Sequence, residues 1–76
     1  MAIELGPVGI TVNAVAPGPT QTGWIKPELE RELLPQIPLR RLGRSEDIAD
    51  AIVFLASRQA GWVSGQVVKV SGGHGL

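Results

Sequence analysis

Apolar and polar residues alternate along this chain with two distinct rhythms, and each rhythm predicts a different element. Between Ile10 and Ala16 the sequence reads Ile-Thr-Val-Asn-Ala-Val-Ala. Period-two alternation places Ile10, Val12, Ala14 and Ala16 on one face, with Thr11, Asn13 and Val15 on the other. Apolar residues on both faces predict a strand over 10–16 covered on two sides, as in a parallel sheet. From Ser45 to Ser57 the rhythm changes. Ile48, Ala51, Ile52 and Leu55 keep the spacing of one helix face, and Val53, Phe54 and Ala56 carry apolar surface round the far side. A helix over 45–57 is the result, with Ser45 as its expected N-cap and Glu46 and Asp47 suited to the positive end of its dipole. Gln66 to Val70 predicts a second strand, and residues 71–76 are expected to trail off as a flexible Gly-rich end.

The segments between these elements carry their own signals. Ala2 to Leu5 is helix-compatible, and Gly6-Pro7 reads as a helix stop. A helix this short does not stand alone, so residues 1–6 read as the tail of a helix begun upstream. Pro17-Gly18-Pro19 is expected to end the first strand abruptly as a rigid, unpaired loop. Loops directly after a parallel strand are where α/β proteins place ligands. Pro27 suits the first position of a short helix over Glu28–Leu34, striped by Leu29, Leu33 and Leu34 and closed by Pro35 and Pro38. With Trp24 and Ile25 ahead of it, this segment suits either a lid over a ligand or an ordinary packing surface. Periodicity does not choose between them. Strand, inserted segment, helix and strand make one βαβ unit of an α/β fold, whose two strands should run parallel.

Composition sharpens this into a deficit. The chain has 76 residues, 43% of them hydrophobic, with no Cys and one His. Disulfides and thiolate zinc sites are excluded, and a domain this small builds only a marginal core without such supports. A helix apolar nearly all round and a two-stranded sheet both need a covering partner. Seven basic residues balance seven acidic ones, which gives no electrostatic footprint for nucleic acid. Arg40, Arg41 and Arg44 are read as a solvated loop, His74 as a solvated or interface residue, and Glu46 and Asp50 as an outward helix edge. Trp62 is expected to pack at a helix–strand junction or a subunit contact. The longest apolar run, Ala51 to Ala56, is far too short for a membrane span. With no basic leader before Gly6-Pro7, the cytoplasm is the expected location.

Five segments together resemble the C-terminal third of a short-chain dehydrogenase/reductase, in the bacterial branch that includes the 3-oxoacyl-acyl-carrier-protein reductases. They are Glu4-Leu-Gly-Pro, Ile10-Thr-Val-Asn-Ala-Val-Ala-Pro-Gly-Pro, Arg41-Leu-Gly-Arg-Ser-Glu-Asp-Ile-Ala, Phe54-Leu-Ala-Ser and Gly65-Gln-Val-Val-Lys-Val-Ser-Gly-Gly-His. Each is a weak signal alone; five in this order and spacing are specific. The resemblance covers essentially the whole chain. It implies the C-terminal βαβ portion of a Rossmann-like, doubly wound parallel sheet, hence an incomplete domain, and an oligomer. It implies NAD or NADP as cofactor, with Pro17 and Gly18 walling the nicotinamide. The Thr20 backbone would bond the carboxamide, and the Thr22 hydroxyl would reach the carboxamide or pyrophosphate. Residues 17–37 would be nicotinamide loop and substrate lid, with Trp24, Ile25, Leu29 and Leu33 in the lid. Ile48, Ile52, Phe54, Leu55, Val68 and Val70 would lie where subunits pack. Two departures stand out: Thr20 where Val or Ile is commoner, and Ser71 where Asp often stands.

The same resemblance marks what these residues lack. The Gly-rich cofactor turn is absent, because no helix follows Gly72-Gly-His-Gly75 to offer its N-terminus to a phosphate. There is no Tyr, so the family's Tyr-x-x-x-Lys pair is missing, as is its catalytic Ser; the two lysines are Lys26 and Lys69. No catalytic residue is therefore assigned, and no activity is expected of the chain alone. Met1 matches a place inside the helix that carries that pair, so the chain is expected to be part of a longer reading frame. The implied function is that of a C-terminal portion of an NAD(P)-dependent oxidoreductase acting on a small carbonyl or alcohol substrate. One alternative is a non-catalytic interaction module that pairs with itself or with a full-length relative. Another is an unfolded product of a broken reading frame.

Overall fold

Two strands form, and because they run parallel the chain must leave the sheet and return before the second can pair. The computed structural model describes residues 1–76. In chain order the elements are α1 (Ala2–Leu5), β1 (Ala14–Pro17), α2 (Pro27–Leu33), α3 (Ser45–Leu55) and β2 (Val67–Val70). Single 3-10 turns occupy Gly6–Val8, Leu34–Gln36 and Arg58–Ala60. β1 and β2 pair in parallel, from Ala14 opposite Val67 to Pro17 opposite Val70, and α3 packs against both. The result is one βαβ unit with its two strands parallel, as the order of elements predicts.

The first strand begins later than its alternation predicts, and Asn13 is the reason. Its side-chain amide donates to the Val63 carbonyl at 2.9 Å and accepts the Gln66 N–H at 3.1 Å. Beside it the Gly65 N–H donates to the Val12 carbonyl at 2.7 Å. The ordinary ladder starts only when the Ala14 N–H reaches the Gln66 carbonyl at 2.9 Å. One carboxamide latches the two strands where they enter the sheet. Only one face of the sheet carries a packed helix, α3, rather than the two expected from the pattern.

The proline loop is not unpaired. Pro17 is the last residue of β1, and the Gly18 N–H donates to the Val70 carbonyl at 3.0 Å. Prolines remove donors but leave carbonyls, so Pro19 still accepts the Gly43 N–H at 2.9 Å. The Gln21 N–H then returns a bond to the Gly43 carbonyl at 2.9 Å. The first α-helix does end at Gly6, its C-cap, but without a left-handed residue there, and the chain runs on as a 3-10 turn. Gly6 keeps right-handed helical geometry, and the turn ends at Gly9, where φ is 82°. Pro7 fits there because the first turn of a helix has no use for its missing donor.

α3 is capped by its neighbours rather than by Ser45, which is its first helical residue. Arg44 is the N-cap, and its N–H donates to the Asp47 carboxylate at 2.7 Å. Arg41 grips the same carboxylate through two nitrogens, at 2.7 and 3.1 Å. Arg40 donates to the Pro35 carbonyl at 2.6 Å. Two of the three clustered arginines are thus exposed yet committed to the fold.

The C-terminal end is folded where flexibility is expected. The Leu39 N–H donates to the Gly72 carbonyl at 3.0 Å, and the His74 N–H to the Ser71 carbonyl at 3.1 Å. A side chain at residue 73 would place its Cβ 2.8 Å from Pro38 Cγ, and φ there is 92°, so only glycine fits. This turn lies beneath Ile37, which is 1% exposed. Ile37, Leu42 and Ala60 are the only buried residues. The radius of gyration is 15.1 Å, against about 11 Å for a compact chain of this length. The accessible surface is 5807 Å², against roughly 4,500 Å² for a folded monomer of this mass. Both excesses mark a sheet and a helix whose other faces are open.

Two stability measurements follow from these contacts. A Cβ on Gly18 would lie 2.7 Å from Ser71 Cβ, whereas one on Gly6 meets nothing within 4 Å. Gly18→Ala should therefore lower stability by about 1–3 kcal/mol through overpacking. Gly6→Ala should be neutral or raise it by about 0.4–1 kcal/mol. Urea midpoints that rank the two variants the other way would contradict the packing. The second concerns Asp47, whose carboxyl is pushed down to about 2 by hydrogen bonds first from Arg41 and then from the Arg44 N–H. A depressed folded value stabilises above the unfolded value of 3.8 and is lost as pH falls toward 2. Thermal melts between pH 5 and about 2 should show this loss in the native chain and less of it in Asp47→Asn.

Candidate functional site

The end of β1 and the loop beyond it bring together three of the four residues expected to meet a cofactor. Thr20 forms a single parallel bridge with Gly43. In that bridge Gly43 bonds to Pro19 and Gln21, so the N–H and C=O of Thr20 point the other way and meet no partner in the chain. The Thr20 hydroxyl donates to the Gly18 carbonyl at 2.8 Å and braces the loop. Thr22 is exposed, and its hydroxyl has no protein partner. Pro17, Thr20 and Thr22 line an open concavity of about 450 Å³, closed on its other side by Ser45, Ile48, Ala49 and Ile52 of α3. Gly18 is not among its lining residues. It serves as a spacer, its Cα turned against Ser71, where any side chain would collide. A smaller hollow of about 190 Å³ is lined by Pro19, Leu39, Gly43, Val70, Ser71, Gly72 and the Arg41–Asp47 pair.

Beyond Thr22 the chain turns outward. Trp24 is 88% exposed and Leu29 45%, while Ile25 and Leu33 are half-buried. α2 thus sits as a short arm whose far end is anchored by the buried Ile37. The six positions expected at subunit contacts divide in the same way. Ile48 and Ile52 line the concavity, and Leu55 faces Thr11, Asn13 and Val15 across a second open space. Val68 and Val70 are half-buried in β2, and Phe54 is 52% exposed. Val53 and Trp62 are more exposed still, Trp62 completely.

One residue of this region escaped the sequence reading. The Gln21 side chain accepts the Gly23 N–H at 2.9 Å and the Ile25 N–H at 3.3 Å, and donates to the Ile25 carbonyl at 3.0 Å. Its only advance signal is a carboxamide two residues before a glycine, and a weak one, because Asn and Asp are the residues that usually close such turns. No group of three or more His, Cys, Asp or Glu residues comes together that could hold a metal ion. No helix is long and apolar enough to cross a membrane.

This arrangement has counterparts among known proteins. Residues 1–75 match the family model described as enoyl-(acyl carrier protein) reductase. The 7α-hydroxysteroid dehydrogenase of Escherichia coli is 49% identical over 77 residues, covering 96% of this chain and 30% of that protein. A crystal structure of a 3-oxoacyl-[acyl-carrier protein] reductase from Brucella melitensis superposes with a TM-score of 0.93 at 40% identity, covering 99% of this chain and 29% of that one. A 7α-hydroxysteroid dehydrogenase complexed with NADH and 7-oxo glycochenodeoxycholic acid gives 0.87 at 47% identity, covering 97% and 31%. The chain spans about 30% of the length of these relatives. A match along nearly its whole length, in sequence and in backbone, means that the chain belongs to the short-chain dehydrogenase/reductase family, in its enoyl-(acyl carrier protein) reductase-like branch.

Proposed function

We propose that this chain is the C-terminal portion of an NAD(P)-dependent oxidoreductase that moves a hydride between nicotinamide and a small carbonyl or alcohol substrate. The observation that carries the reading is the unpartnered backbone pair of Thr20 at the end of β1. Its N–H suits the oxygen of a carboxamide and its C=O suits the NH₂ group, so a single residue can satisfy the whole amide. The Thr22 hydroxyl stands beside it, unpartnered and able to donate or accept. Pro17 and the Gly18 spacer hold this edge in place without long side chains. These residues fit the nicotinamide end of the cofactor. The phosphate end needs a Gly-rich turn leading into a helix, which residues 1–76 do not contain.

When bound, nicotinamide supplies or accepts the hydride. The part played by this chain is to orient the ring through Thr20 and Thr22 and to keep water from one side of it. Trp24, Ile25, Leu29 and Leu33 serve as the lid, carried on an arm anchored by Ile37. The proton for the carbonyl oxygen must come from outside residues 1–76. The chain has no Tyr, and the Lys69 ammonium donates to the Gly75 carbonyl at 3.1 Å. Exposed Val53 and Phe54 on α3 support a subunit contact that takes in Leu55, Val68 and Val70, whereas Ile48 and Ile52 line the concavity.

Joining residues 1–76 behind the remaining two-thirds of the E. coli 7α-hydroxysteroid dehydrogenase should give an NAD-dependent alcohol dehydrogenase. In that chimera Thr22→Val should raise KM for NAD roughly tenfold, the effect of about 1.4 kcal/mol from one lost hydrogen bond. Thr20→Ala should raise it less than Thr22→Val does, because the ligand contact is made by backbone and only the hydroxyl brace to the Gly18 carbonyl is lost. The 76-residue chain alone should oxidise neither NADH nor NADPH with any ketone. Turnover by the chain alone, or a KM indifferent to Thr22→Val, would overturn the reading.

A further inference from the structure

Residues 22–25 make no backbone–backbone hydrogen bond to any part of the chain. Every hydrogen bond they do make goes to one side chain, that of Gln21. Gln21 is itself fixed, since its backbone N–H donates to the Gly43 carbonyl at 2.9 Å. Its carboxamide therefore substitutes for a missing strand. The oxygen collects the N–H groups of Gly23 and Ile25, and the nitrogen returns a bond to the Ile25 carbonyl. The excursion closed in this way carries Thr22, on the rim of the 450 Å³ concavity, and Trp24, 88% exposed.

We propose that Gln21 is a positioning residue, whose side-chain amide pre-forms the Thr22–Ile25 loop so that Thr22 and Trp24 stand in place before the cofactor and substrate arrive. The inference rests on the reading of Thr20 and Thr22 as nicotinamide contacts, and adds to it a group that touches neither ligand. Ordering a loop costs about 1–2 kcal/mol per residue in backbone entropy. A loop already closed does not meet that cost again when a ligand binds, so pre-organisation is felt as affinity. Gln21 has no other bonding role: its side chain makes these three hydrogen bonds and no others.

The test is amide NMR on the ¹⁵N-labelled chimera in which residues 1–76 follow the remaining two-thirds of the E. coli 7α-hydroxysteroid dehydrogenase, with NADH as the probe. Three proteins are compared: the parent chimera, Gln21→Ala, and Gln21→Glu, which keeps both acceptor bonds. In the parent chimera the Gly23 and Ile25 amides should exchange slowly, and NADH should shift the Thr20 and Thr22 resonances saturably. Gln21→Ala should speed exchange at Gly23 and Ile25 and weaken NADH binding at least fivefold. Gln21→Glu should restore both to within about twofold of the parent chimera. An unchanged Gly18 resonance reports that β1 and β2 remain paired in each protein. Equal NADH affinity in the parent chimera and Gln21→Ala overturns the proposal while leaving the nicotinamide reading intact. NADH shifts absent from Thr20 and Thr22 in the parent chimera overturn that reading, and the positioning role falls with it.

Discussion

A parallel pair of strands cannot be joined by a tight turn, and that constraint shapes everything between Pro17 and Val67. The chain leaves the C-terminal end of β1, crosses to α3, and re-enters beside its own starting point. Because both strands end on the same side, the loop after β1 and the turn after β2 are forced into contact. Gly18 meets Ser71 there, Ile37 lies over Gly72, and Pro38 over Gly73. Three segments distant in sequence converge on one spot, and the largest fully buried side chain of the molecule, Ile37, lies at that spot. The candidate site is built on its outer surface.

Placement by convergence also explains the division of labour around Thr20. The residues on either side of it, Pro19 and Gln21, spend their backbone groups on Gly43. Thr20 is left with an N–H and a C=O that are rigidly held yet unsatisfied. Elsewhere such a pair would be a defect, since backbone polar groups normally find partners. On the rim of a cleft it is free to serve the nicotinamide contact proposed above. The α3 helix closes the other side, held at its start by the Asp47 carboxylate and the two arginines around it.

Much of this was legible in the sequence, and the failures have physical causes. Both strands, the short helix behind Pro27 and the long apolar helix follow from the spacing of their apolar residues, although none of those residues is buried within residues 1–76. Pro17, Thr20 and Thr22 were placed together by the resemblance of their segment, and the fold gathers them. Asn13, Gln21 and Asp47 were underestimated for a common reason: each side chain replaces backbone hydrogen bonds, and such substitution leaves no period in the sequence. The tail was misjudged because consecutive glycines signal flexibility when read alone. Here Gly72 and Gly73 are small so that Ile37 and Pro38 can approach. A glycine needed for close contact and a glycine in a loose end look identical in one dimension.

The two-stranded sheet has a further consequence, which concerns the chain on its own in water. Each strand has one edge paired and one edge bare, and bare edges invite other strands. β2 is guarded by Lys69, whose charge disfavours stacking of copies on that edge. β1 has no charged residue at all. Its Ala-Val-Ala run is followed by Pro17, which blocks addition only at its last position. The β1 edge is therefore the one more open to a wrong partner.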